Sequence, residues 1–110
     1  MNAFVLLIIA IIAELCGTTA MKLSDGFTRF WPVTALIAGY GIAFWLMSIA
    51  IKTIPVGVAY AIWAGLGTAG IAIIGAVYFN EHLGAIRIFG ICLIIAGVVV
   101  LNLYTPGNAR

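Results

Sequence analysis

Read as a pattern of apolar and polar positions, the chain alternates long apolar runs with short polar interruptions. Residues 3–21 are apolar except for Glu14, Gly17 and the pair Thr18 and Thr19; at the helical rise this run spans about 28 Å, one membrane crossing. Residues 22–32 then collect Lys22, Ser24, Asp25, Gly26, Thr28 and Arg29 and predict a loop, with Trp31 placed to anchor at the headgroups. Pro32 suits the first turn of the next helix, where a missing N–H costs least. A second apolar run covers 33–51, a third 58–79 and a fourth 85–103, separated by turns at 52–57 and 80–84 and followed by a polar tail at 105–110. The pattern predicts an all-α membrane protein: one domain over residues 1–110, with four transmembrane helices and connections too short for anything but antiparallel neighbours.

Composition agrees with the pattern. Hydrophobic residues make up 65% of the chain and charged ones 7%, against roughly 45–50% and about 25% in soluble proteins. Five Lys and Arg residues, scattered singly, give a formal charge of +2 without the basic patch that nucleic acid requires. The first run is expected to stay as a helix rather than be cleaved: no basic segment precedes it, Glu14 interrupts it, and Leu15 before Cys16 does not fit a lipoprotein signal. Cys16 and Cys92 lie inside apolar runs and read as free buried thiols. His82 sits beside Glu81 in a loop, where a lone histidine is usually solvated, and no ligand spacing suggests a metal. With no nucleophile and base pair, P-loop or dinucleotide fingerprint, enzymatic chemistry is not expected.

Orientation follows from the loop charges. Lys22, Arg29 and Arg87 fall on one side of the membrane, and Lys52 and Arg110 on the other. A Lys and Arg excess normally fixes which side is cytoplasmic, and here there is almost none. The balance predicts dual topology, in which two opposite-facing copies reproduce the inverted repeat that larger transporters carry within one chain. Four helices enclose little space, so an antiparallel homodimer is expected. In the fourth helix Gly90, Ile94, Gly97 and Leu101 recur at a helical spacing and could form its contact, because small residues let helices approach closely in lipid. The alternative is that Gly90 and Gly97 pack inside the chain.

Glu14 is the costly position. A charged carboxylate in the bilayer costs at least about 3 kcal/mol, so such a residue points by default to a functional site; the competing role is a protonated acid that only joins helices. Leu7, Ala10, Ile11, Glu14, Gly17, Thr18 and Met21 share one face of the first helix, with small residues beside the acid leaving room for a bulky group. Tyr60, Trp63, Ala64 and Gly67 share a face of the third helix, and Tyr40 and Phe44 one of the second. Aromatic rings hold organic cations with about 2 kcal/mol or more per desolvated contact. An acid among aromatics therefore suggests a cation site, although each ring taken singly could equally pack in the core or face lipid.

These residues also carry a resemblance. Ala13-Glu14, Gly17-Thr18-Thr19, Met21-Lys22, Gly26-Phe27-Thr28-Arg29, Trp31-Pro32, Pro55-Val56-Gly57 and the run from Ala59 to Gly67 are similar to the small multidrug resistance family along the whole chain. The resemblance implies four helices per chain, an antiparallel dual-topology homodimer in the bacterial inner membrane, and export of organic cations in exchange for protons, with no cofactor besides the proton. It implies that Glu14 is the coupling acid, that Tyr60 and Trp63 belong to the substrate pocket, and that the third helix bends at Gly65 and Gly67; the helix faces add Tyr40, Phe44, Leu7, Ala10, Ile11, Gly17 and Thr18 as expected pocket residues. Tyr60 is expected to donate a hydrogen bond to Glu14. Gly17 stands where the family's guanidinium exporters carry a Trp, which favours the quaternary ammonium and dye exporters over that subtype; Ala43 and Ala64 stand where some multidrug members have serines. The reading from a different class is a membrane assembly subunit or small pore whose Glu14 is structural. Three lysines added to one end of the chain should force a single orientation and abolish most activity when that variant is expressed alone, measured by cysteine accessibility from each side; full activity from the variant alone would refute dual topology.

Overall fold

The computed structural model describes residues 2–104; the polar tail, Arg110 included, lies outside them. Four α-helices account for nearly all of it: α1 (Ala3–Leu23), α2 (Phe30–Ala50), α3 (Val56–Tyr78) and α4 (Ala85–Leu103). Each is long and apolar enough to cross a membrane. The helices divide into two compact units, one holding α1 and α2, the other α3 and α4.

In the first unit the helix ends are set by side chains. The Asn2 carboxamide accepts the Phe4 N–H at 2.7 Å and so caps α1. The helix runs to Leu23, two residues beyond the expected 21, because Lys22 is a cation in the last turn, where it suits the helix dipole. Termination falls to Ser24, which is fully buried. Its hydroxyl donates to the Met21 carbonyl at 2.6 Å and accepts the Phe27 N–H at 3.0 Å, while its own carbonyl accepts from Thr28 and Arg29. Asp25, Gly26 and Phe27 then take positive φ of 50°, 72° and 68°, a left-handed run that no helix can continue through.

The second helix starts at Phe30, earlier than the expected 33. Its first backbone bond, from the Val33 N–H to the Arg29 carbonyl, falls one residue after Pro32, so the proline occupies a turn whose N–H groups have no partner to lose. Trp31 is therefore in the helix rather than the loop; it is 76% exposed and meets Phe30 edge-on at 5.0 Å. α1 and α2 pack as a hairpin, and they approach most closely at two glycines. A methyl group on Gly39 would come within 2.9 Å of the Ala13 carbonyl oxygen and 3.2 Å of the Gly17 backbone. Lipid offers no hydrophobic force between helices, so this backbone contact supplies the van der Waals attraction instead.

In the second unit Pro55 precedes α3 and its carbonyl accepts the Ala59 N–H at 2.9 Å, which draws Val56 and Gly57 into the helix rather than the turn. α3 ends where Asn80 turns left-handed, with φ 57°. Gly65 is the contact with α4: a methyl there would lie 2.8 Å from a Val98 methyl and 3.6 Å from one of Ile94. None of the residues of α4 is buried. The thiols of Cys16 and Cys92 are free but exposed, correcting the expectation of buried ones; the apolar runs that carry them have a lipid-facing side. Gly39→Ala should lower stability by about 1–3 kcal/mol in unfolding from mixed micelles, as overpacked contacts do. Gly41→Ala, where a methyl meets nothing within 4 Å, should change it by less than about 0.5 kcal/mol.

Candidate cation site around Glu14

Leu7, Ala10, Ile11, Gly17 and Ala20 are the buried residues of α1, so the face expected from spacing is the helix's buried stripe, with Glu14 partly buried in its middle. Leu7, Ala10 and Ile11 are core residues in the chain, at 0%, 0% and 3% exposure, rather than the lining of an open space. The room beside the acid is also filled. Where Gly17 lacks a side chain the ring of Tyr40 lies against α1; a methyl group at Gly17 would sit 2.6 Å from one of its carbons. The expectation of empty space at Gly17 is corrected accordingly: the missing side chain admits an aromatic ring from α2.

That ring brings a hydroxyl to the acid through one intermediary. The Thr18 hydroxyl donates to Glu14 Oε1 at 3.2 Å, and the Tyr40 and Thr18 hydroxyls are 2.8 Å apart. An ionised carboxylate only accepts, so Thr18 spends its one proton on Glu14 and Tyr40 must donate to Thr18. With Glu14 ionised, the three groups form a short relay, Tyr40 to Thr18 to Glu14. With Glu14 protonated the same geometry can run in reverse. Phe44 meets Tyr40 edge-on at 6.1 Å and is itself 62% exposed. It lies one turn beyond Tyr40 along α2.

The remaining aromatics belong to the second unit. Tyr60 is 70% exposed on α3, and Trp63, one turn on, is partly buried. The edge of Trp63 lies 3.6 Å from where a methyl on Gly67 would be, so Gly67 leaves the indole room against its own helix. Gly65 points instead towards α4. The two glycines expected to form one bend thus occupy different packing positions within an unbroken helix. The row expected as a dimer contact also divides: Ile94 packs towards Gly65 within the chain, while Gly97 and Leu101 are exposed, with nothing near the Gly97 α-carbon face. Gly39 and the hydroxyl link from Tyr40 were not visible in the sequence. Both depend on where α1 and α2 cross, and the only signal was a glycine four residues from neither acid nor aromatic motif but beside Tyr40.

A four-span membrane protein with one acid inside its spans, tied by hydroxyls to a second helix, has the build of a small membrane transporter. The comparisons with known proteins are specific. The family described as Small Multidrug Resistance protein matches residues 2–94. The quaternary ammonium compound-resistance protein QacE of Escherichia coli is 46% identical over the full length of both chains. The multidrug resistance protein EbrB of Bacillus atrophaeus is 47% identical over 93% of this chain and 87% of its own, and the multidrug transporter EmrE of Escherichia coli K12 is 45% identical over 94% of each. The chain belongs to the small multidrug resistance family. It is a small multidrug efflux transporter and a multi-pass protein of the bacterial inner membrane.

Thr18→Val should move the infrared carboxylate band of Glu14, isotope-labelled for the purpose, and cost about 0.5–1.5 kcal/mol of stability for the lost bond. Tyr40→Phe should move the band in the same sense but less, acting through Thr18. A band that ignores Tyr40→Phe would show that the relay does not operate.

Proposed function

We propose that the protein is a proton-coupled antiporter that exports hydrophobic organic cations, quaternary ammonium compounds and cationic dyes among them, by alternating access. The observation that carries this reading is the relay ending on Glu14. A purely structural acid would be satisfied by one fixed partner. Here the carboxylate accepts from Thr18, whose hydroxyl is shared with Tyr40, so charged and protonated forms are both accommodated by redirecting those protons without rebuilding the helix contact. A carboxylate in hydrocarbon is costly when charged and alone; it is relieved either by a proton or by a cation. The two therefore compete for one group.

In the proposed cycle the deprotonated site takes a cation against aromatic faces, with Tyr40 and Phe44 near the acid and Tyr60 and Trp63 contributed by α3. Protonation removes the charge that holds the cation and releases it on the other side. Alternation requires a second copy. An antiparallel homodimer, in which each chain supplies one Glu14, is supported by the balanced loop charges and by the exposed α4, whose Gly97 and Leu101 offer a contact. Gly65 and Gly67 would then serve as the place where α3 bends as the dimer changes sides. The exposure of Tyr60 in a single chain fits a side chain that is completed by a partner.

The names of the relatives, a quaternary ammonium resistance protein and multidrug transporters, favour large apolar cations over guanidinium. Gly17 supports the same choice: the ring that occupies its space is Tyr40, already committed to the relay. In liposomes with an imposed pH gradient, the protein should drive tetraphenylphosphonium uphill, and Glu14→Gln should abolish both this uptake and substrate-induced proton release. Flux of the cation only down its own gradient, or binding that survives Glu14→Gln, would favour the pore or assembly role.

A further inference from the structure

A hydroxyl inside a helix has a default partner, the carbonyl of its own chain about one turn back. Thr19 follows it, donating to the Leu15 carbonyl at 2.8 Å; Thr34 donates to that of Phe30 at 2.9 Å and Ser48 to that of Trp45 at 2.6 Å. Thr18 departs from it. The carbonyl one turn back is the backbone carbonyl of Glu14, yet the Thr18 proton goes to the Glu14 carboxylate at 3.2 Å. What separates Thr18 from its neighbour Thr19 is the Tyr40 hydroxyl, 2.8 Å from the Thr18 oxygen. That contact, made from α2, holds the oxygen where the side chain of Glu14, rather than its backbone, is the acceptor within reach.

The place of Tyr40 is set by the residue before it. Two glycines flank the tyrosine, and their surroundings are opposite. A methyl group on Gly41 would meet nothing within 4 Å, whereas one on Gly39 would lie 2.9 Å from the Ala13 carbonyl oxygen and 3.2 Å from both the Gly17 nitrogen and its α-carbon. Those atoms are the backbone of the one turn of α1 that carries Glu14, and backbone cannot swing aside as the end of a side chain can. A side chain at position 39 would therefore push α2 away from that turn by a few tenths of an ångström. O–H···O bonds run from about 2.5 to about 3.0 Å, so the link between Tyr40 and Thr18 has little slack to absorb such a shift.

We propose that Gly39 is a positioning residue for Glu14: the close crossing it permits delivers the Tyr40 hydroxyl to Thr18 and so turns the Thr18 proton from the backbone carbonyl of Glu14 onto its carboxylate. With a side chain at position 39, Thr18 reverts to the bonding of Thr19, and Glu14 loses its donor. The consequence for transport, which rests on the reading of Glu14 as the coupling acid, is that the protein fills one acceptor position of the carboxylate before a proton or a cation arrives. An ionised carboxylate has about four such positions, and the others stay open to either.

Infrared spectra of the full chain in lipid test this. Glutamate is isotope-labelled at the backbone carbonyl in one preparation and at the side-chain carboxyl in another; the chain has two glutamates, Glu14 and Glu81, so a Glu81→Gln background reports on Glu14 by itself. Gly39→Ala should lower the frequency of the Glu14 backbone carbonyl, which gains a donor, and move the carboxylate band in the sense that Thr18→Val moves it. Tyr40→Phe should do both without disturbing the crossing, and should add nothing when combined with Gly39→Ala. Adding Thr18→Val to Gly39→Ala should return the backbone band to its wild-type place, because valine has no hydroxyl to donate; helices that had merely loosened would show no such return. Gly41→Ala should move neither band. A backbone band that stays put in Gly39→Ala, or a carboxylate shift in which Tyr40→Phe and Gly39→Ala simply add, would overturn the proposal. If Gly39→Ala does not fold, a backbone band unmoved by Tyr40→Phe overturns it equally. Wild-type protein that releases no protons on binding tetraphenylphosphonium would refute the coupling role of Glu14 and leave these band shifts as they are.

Discussion

Between Gly17 and Gly39 the backbones of α1 and α2 meet without side chains between them, and the arrangement around the acid depends on that contact. In lipid, two apolar helices gain little by hiding apolar surface from each other, so they hold together through close packing and polar bonds. The glycine crossing supplies the first and makes the second possible. Because Gly17 carries no side chain, the Tyr40 ring lies against α1, and because the ring lies there its hydroxyl reaches Thr18, which reaches Glu14. One missing methyl group at position 17 thus determines both a packing distance and the hydrogen-bonding state of a carboxylate.

The second unit uses glycine in the same way for other ends. Gly65 admits Val98 of α4, Gly67 leaves room for the Trp63 indole, and Gly75 leaves room for the Glu81 carboxylate. In each case the absent side chain is a place for a particular neighbour rather than a source of flexibility. Meanwhile α4 contributes no buried residue, and its outer row remains apolar. In a membrane such a surface is at rest against lipid, yet it is also the part of the chain least committed to its own fold.

The acid shows how far spacing arguments reach. The heptad-like row on α1 named the right face: Leu7, Ala10, Ile11 and Gly17 are buried, and Glu14 lies among them. What occupies the space beside the acid does not follow from that row, because a row of small residues looks the same whether it faces an open pocket or a neighbouring ring. The hydroxyl that donates to Glu14 in the structure is that of Thr18, which is itself hydrogen-bonded to Tyr40. Tyr60, a hydroxyl expected to donate to Glu14, stands exposed on α3 in the second unit.

Four membrane spans, the acid's position on a buried stripe and the family were legible in the sequence alone, because each rests on local or additive properties: the length of an apolar run, the 3.6-residue period and a chain of short motifs. The ends of the helices were legible only to within a few residues, since Lys22 and Pro32 are compatible with a helix and the true stop lies in the buried Ser24 and the left-handed turn after it. Tertiary structure alone decided which glycines meet a backbone, a ring or a carboxylate, and which hydroxyls link α2 to Glu14. Those facts depend on the crossing of helices whose residues lie far apart along the chain, and no local pattern records where two such helices touch.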